Sequence, residues 1–217
     1  MNQSKRAKVI LKILNQIYPK TPIPLKHKSK FTLLISVLLS AQTTDVNVNN
    51  VTKDIYRKHY KPEHFAKLGR KKIEKLIKSI GIFRMKAKSI YLLSKQLIEN
   101  HGGKVPETFE DLEKLPGVGH KTASVVMSQG FGYPAFPVDT HIHRLSQRWG
   151  LTDGKNVTQT ETDLKKAFPK ESWNKLHLQI IYYGRQYCSA RGCDGRVCEI
   201  CKTCYPHRKN SFKANKA

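Results

Sequence analysis

Two short stretches of this chain have residue types and spacings that suit chemistry. The first reads Leu115-Pro-Gly-Val-Gly-His-Lys-Thr-Ala-Ser-Val-Val. Gly117 and Gly119 bracket a turn just ahead of a helix start, so backbone N–H groups there can face a phosphate without side-chain interference. Lys121 falls in the first turn of that helix, where the positive dipole end works against an ammonium and so favours nucleophilic use. The second stretch reads Cys188-x4-Cys193-x4-Cys198-x2-Cys201-x2-Cys204. Four thiolates in a compact loop match a tetrahedral zinc ion or a [4Fe–4S] cluster, and spacing alone does not separate the two.

The rest of the composition narrows the partner. The 217 residues carry 40 Lys+Arg against 16 Asp+Glu, a formal charge of +24 spread along the chain. A folded protein this basic binds nucleic acid more often than an anionic membrane, and no lipidation motif points to the latter. The longest apolar run, residues 31–39, is too short to span a bilayer and contains Thr32 and Ser36. The basic N-terminus reads as an amphipathic helix rather than a signal peptide, because Lys12 interrupts its apolar part. All five cysteines lie between positions 188 and 204, which suggests a metal site in a reducing compartment rather than a disulfide scaffold. The expected location is the cytoplasm, on the nucleoid through DNA.

The elements that must position these groups are helices. Val9, Ile10, Ile13, Leu14 and Ile17 line one face of a first helix, and Pro19, Pro22 and Pro24 stop it. Further helices are expected over residues 31–39, 46–59, a short one after Pro62, from 71 toward Gly81, and over 84–100, closed by Gly102 and Gly103. Thr108 opens a helix that Pro116 ends, Asp139 or Thr140 caps another, and Thr158 with Glu161 matches a capping box. A last helix over 172–187 leads into the cysteine loop. No alternating strand run or internal repeat is visible, so the fold class is all-α. Residues 108–128 have the form helix, Pro-Gly-Val-Gly turn, helix: a helix-hairpin-helix that grips DNA phosphates without reading sequence. The basic tail, residues 207–217, is expected to be disordered.

The hairpin with Lys121, followed by Val138-Asp-Thr-His-Ile-His-Arg-Leu, resembles the endonuclease III family of DNA glycosylases. The likeness extends upstream through Leu39-Ser-Ala-Gln-Thr-Thr-Asp and Ser79-Ile-Gly-Ile-Phe-Arg-Met-Lys-Ala, and downstream through Tyr183-Gly-Arg into the cysteines. It implies that Lys121 attacks the sugar C1′ of a damaged nucleotide and forms a Schiff base, from which β-elimination cuts the strand. It implies that Asp139 activates the nucleophile and stabilises the oxocarbenium-like charge, a role compatible with capping a helix. Gln42 and Ile82, with Ile80 nearby, correspond to residues that enter the duplex when a base is extruded. For Ile80 core packing is the stronger reading. Gly117, Gly119 and His141 complete the DNA contacts.

The family's four cysteines are spaced x6, x2 and x5, and this chain departs from that pattern. The ligand set taken here is Cys188, Cys198, Cys201 and Cys204, with Cys193 as the alternative. The resemblance favours [4Fe–4S] over Zn2+. The expected architecture is two helical subdomains, a central one over 23–134 and a terminal one from 1–22 plus 135–211, with the cleft between them. The expected activity is a DNA glycosylase and abasic-site lyase for oxidised pyrimidines, acting as a monomer on double-stranded DNA and not on membranes. A monofunctional glycosylase, or a DNA-binding protein without catalysis, is the alternative.

Overall fold

The computed structural model describes residues 1–217 and divides them into two compact units, Ile23–Tyr133 and Met1–Pro22 with Pro134–Ala217. In chain order the helices are α1 (Gln3–Ile17), α2 (Lys30–Ser40), α3 (Asp45–Lys58), α4 (Pro62–Leu76), α5 (Phe83–His101) and α6 (Phe109–Glu113). They continue with α7 (His120–Gly130), α8 (Thr140–Arg148), α9 (Val157–Ala167), α10 (Trp173–Gln186) and α11 (Glu199–Cys204), with a 3-10 turn at Lys170–Ser172. There is no strand, and no helix is long and apolar enough to cross a membrane.

The central unit is built on α2. Its residues 31–39 are all buried, as a helix apolar on every side must be. Ser29 and Thr32 close its N-terminus as a reciprocal capping pair. Around it, α3 and α5 present single apolar faces and α7 is buried over residues 123–128, with Val48, Ile90, Leu93, Leu97, Ala123 and Val126 all in one core. Helix α4 is two segments joined at a kink, because Gly69 takes a positive φ of 73°. Helix α5 ends on Gly102 in the left-handed conformation, the stop expected from its Gly-Gly pair.

The terminal unit packs α1 against α9, α10 and α11, and α8 against α9 and α10. Ala7, Ile10 and Leu14 of α1 share a core with Ile142, Leu145, Trp149, Leu164 and Tyr183. The buried Gln179 amide donates to the carbonyls of Leu14 and Tyr18 (3.2 and 2.9 Å) and so closes the free end of α1. Two expectations are corrected here. Helix α9 starts two residues earlier than the Thr158/Glu161 pattern indicated, because the Asn156 side chain accepts from Gln159 N (2.8 Å). The C-terminal tail is docked rather than loose: Asn215 N donates to Gln147 Oε1 (2.8 Å), Asn215 Nδ2 donates to Gly154 O (3.1 Å), and Phe212 N donates to Asp194 O (2.7 Å).

Candidate functional site

The hairpin is assembled from local rules. Thr108 caps α6 by accepting from Asp111 N (3.1 Å), and the chain then turns through Leu115 and Val118, which are buried while the turn between them is open. Gly117 has φ +80°, and a β-carbon there would lie 2.7 Å from Ser89 Cβ and 3.3 Å from Leu38 Cδ1. Gly119 differs: its φ is −97° and nothing lies within 4 Å of a β-carbon placed on it. It serves as the N-cap of α7, and no side chain caps that end. The first N–H groups of α7 therefore lack intrahelical acceptors and point where an anion is favoured. His120 pairs with the Glu113 carboxylate (2.7 Å) and stacks on Phe109. Lys121, next along, is exposed.

The two glycines should respond differently to alanine. Gly117→Ala is expected to cost about 1–3 kcal/mol of stability through clash and strain. Gly119→Ala is expected to cost about 1 kcal/mol or less, the difference between these residues as caps. A phosphate approaching the open space at Gly119 would meet the added methyl group, so weaker duplex binding is the expected result. Thermal melting and a duplex-binding titration of both variants check this.

Two further loops of the central unit lie together. Gln42 and Ile82 are exposed, and they are the only non-glycine residues of the chain with positive φ, at 55° and 57°. Gly81 brings the loops close: a β-carbon on it would sit 3.5 Å from Gln42 O. Asn47 Nδ2 adds a hydrogen bond to Ser79 O (3.2 Å). Ile80 is 1% exposed and belongs to the core, so it is removed from the DNA-facing set. The two-residue step from Ile80 to Ile82 carries one side chain inward and the other out.

Asp139 is the N-cap of α8, and its Oδ1 accepts from Ile142 N (2.8 Å). It is half-buried, and one carboxylate oxygen suffices for the cap. His141 is half-buried in the first turn, with Nδ1 3.4 Å from an Arg144 guanidinium nitrogen. His143 is buried, its Nδ1 2.8 Å from Thr160 Oγ1, and is a core residue.

The same helix anchors the cysteine loop. Arg148 is buried and donates to Ser189 O (2.9 Å), Ala190 O (3.2 Å) and Cys188 Sγ (3.3 Å), while Arg144 donates to Cys188 O (3.1 Å). The sulfurs that gather, all within 4.8 Å of one another and all buried, are those of Cys188, Cys193, Cys198 and Cys201. This corrects the ligand set that included Cys204. Cys198 caps α11, with its Sγ 3.5 Å from Cys201 N, so the helix carries Cys204 one turn beyond the group. Burial pushes the Cys204 thiol up to about 11. Hydrogen bonds from Cys188 and then Cys201 draw the Cys198 thiol well down, which makes it the first thiolate of the group.

Four buried thiols, with an arginine donating to one of them, suit a metal centre. The donor set fits either [4Fe–4S] or zinc. Sulfurs at about 2.3 Å from one tetrahedral zinc stand roughly 3.8 Å apart, and the Cys188–Cys201 separation is 3.9 Å.

Two residues here were not singled out from sequence. Arg148, buried beside the cysteine loop, is the first of them. Lys86 is buried, with Nζ donating to Leu39 O (2.9 Å) and Ala41 O (2.6 Å). Its signal was available: Lys86 occupies the same stripe of α5 as the buried Ile90, Leu93 and Leu97.

Residues 35–170 match the model of the HhH-GPD superfamily of base excision DNA repair proteins. An endonuclease III of Bacillus subtilis is 40% identical over 210 residues, covering 96% of each chain. That of Escherichia coli K12 is 42% identical over 191 residues, covering 88% of this chain and 90% of its own. Among solved structures, a trapped endonuclease III–DNA covalent intermediate superposes with a TM-score of 0.86 at 38% identity, covering 94% of this chain and 99% of the other. A non-covalent endonuclease III–DNA complex superposes with a TM-score of 0.87 at the same identity, covering 94% and 98%.

Proposed function

Because this chain belongs to the endonuclease III family of base excision DNA repair proteins, we propose that it removes oxidised pyrimidines from duplex DNA and then cuts the strand. The observation that carries the reading is an exposed lysine in the first turn of α7, a helix that starts on Gly119 with no side-chain cap. The hairpin binds the backbone through those N–H groups, which places the Lys121 amine at a sugar.

The neutral amine attacks C1′ and the bond from C1′ to the base breaks, the base leaving with the electron pair and gaining a proton. Ring opening converts the adduct to an iminium, and a proton is lost from the acidified C2′. The C3′–O bond then breaks with the phosphate as leaving group. Water hydrolyses the conjugate and frees the lysine. An amine is required for the second half, since a hydroxyl or carboxylate forms no iminium. Asp139 assists deprotonation of the amine and stabilises positive charge on the sugar as the base departs. Gln42 and Ile82 enter the stack, the amide meeting the orphaned base and the aliphatic chain wedging the step. His141 contacts a phosphate. The working form is a monomer in the cytoplasm, bound to the nucleoid.

Support for the lyase half comes from the match of this chain to a protein trapped covalently on DNA. Borohydride added during reaction with abasic-site duplex should give a covalent protein–DNA band, and thymine-glycol duplex should release free base. Absence of the band would leave a monofunctional glycosylase, and absence of both a DNA-binding protein.

The group proposed for the four cysteines is [4Fe–4S], with a structural rather than hydrolytic part. The spacing of the sulfurs favours zinc as a second reading. Broad absorbance near about 410 nm marks iron and its absence with stoichiometric zinc marks the other. Cys193→Ser is expected to lose the metal by elemental analysis, whereas Cys204→Ser keeps it.

A further inference from the structure

The buried ammonium of Lys86 donates to two backbone carbonyls, with Thr43 Oγ1 farther off at 3.5 Å. The carbonyls it binds, of Leu39 and Ala41, are those left without intrahelical donors where α2 stops. They also form the negative end of the α2 dipole, so the charge is favourably placed. The residue after Ala41 is Gln42, held at φ 55°, and Ile82, held at φ 57°, is the N-cap of the helix that carries Lys86. Left-handed conformations at such residues, and above all at a β-branched one, persist only where the surroundings dictate them. The chain has two such residues, and one ammonium bridges the elements that bear them.

We propose that Lys86 is a positioning residue for base extrusion, fixing the separation of Gln42 and Ile82 by clamping the end of α2 to the first turn of α5. The proposal rests on the reading of Gln42 and Ile82 as the residues that enter the duplex. It goes beyond that reading by naming a group that touches no DNA yet sets the geometry of both. Without the clamp the Gln42 loop relaxes, the two tips no longer fit one base step, and extrusion slows while the lysine chemistry is untouched. A misplacement near 1 Å costs about 10²-fold where geometry governs a step.

The test compares a substrate that needs extrusion with one that does not. Lys86→Met keeps the apolar stem and removes the charge. It is expected to slow single-turnover base release from a paired thymine-glycol duplex by about 10- to 100-fold. Borohydride trapping on a single-stranded abasic oligonucleotide should stay within about twofold, and the fluorescence rise of 2-aminopurine opposite the lesion should vanish. Lys86→Arg, which keeps the charge but cannot place a compact ammonium between two carbonyls, gives the same selective loss and serves if the Met variant does not fold. In either background Gln42→Ala should add little, since the pair acts as a unit. Equal losses on both substrates, or additive effects with Gln42→Ala, would overturn the clamp. If Gln42→Ala and Ile82→Ala leave duplex base release unchanged in otherwise native protein, the duplex-entry reading fails and the clamp falls with it. If they slow it while the Lys86 variants do not, the clamp alone fails.

Discussion

Lys121→Ala abolishes covalent trapping on abasic-site DNA and lowers base release by roughly 10⁴- to 10⁶-fold, the scale seen when a covalent enzyme loses its nucleophile. Lys121 is exposed, so the substitution leaves the melting temperature unchanged. Duplex binding should survive within about tenfold, because one lysine accounts for about one phosphate contact and the hairpin N–H groups remain. The rival assignment, a lysine that only binds phosphate, is separated by Lys121→Arg. That variant keeps the charge and restores binding, yet forms no stable iminium and therefore does not trap. Trapping by Lys121→Ala at the native level would move the nucleophile elsewhere and remove the strand-cutting mechanism with it. Activity must be read beside the salt dependence of binding, since a falling affinity with salt is common to every DNA-binding reading.

The legible parts of this fold are those governed by local rules. Apolar periodicity marks α1 and α5, Thr108 and Gly102 cap where the residue types predict, and of the pair Asp139 and Thr140 it is Asp139 that caps. The hairpin is legible because its glycines answer to separate needs, a positive φ with close packing at Gly117 and empty space at Gly119. What failed was decided by the path of the chain in space. Thr158 and Glu161 satisfy a capping pattern, but the turn is made at Asn156, whose side chain reaches the backbone first. Cys204 has a better spacing to Cys201 than Cys193 has, yet α11 carries it a turn away while the preceding loop folds Cys193 inward. The tail looked unstructured by composition, and a reciprocal pairing of Asn215 with Gln147 docks it. Lys86 stands out only when its place on the apolar stripe of α5, with Ile90, Leu93 and Leu97, is weighed above its charge.

Asp139→Asn separates the two tasks of one carboxylate. Its Oδ1 accepts from Ile142 N, and an asparagine offers an amide oxygen in the same place, equal to aspartate as a cap. The folded state should therefore keep its melting temperature, within about 0.5 kcal/mol of stability. Asp139→Ala removes the acceptor and should cost about 1 kcal/mol more. In the proposed mechanism catalysis depends instead on negative charge, which neither variant retains. Base release is expected to fall by about 10²- to 10⁴-fold in both, the range for losing a positioned acid–base group. Were the carboxylate only a cap, activity would follow stability: native in Asp139→Asn, reduced in Asp139→Ala. The ordering of two rates against two melting temperatures decides the matter without any assumption about substrate preference. The chain contains no other acid between Glu113 and Asp153 to supply the charge from the same helix or its approach. Full activity in Asp139→Asn would thus force the charge-stabilising role onto a carboxylate outside α8, and with it a different account of how the base leaves.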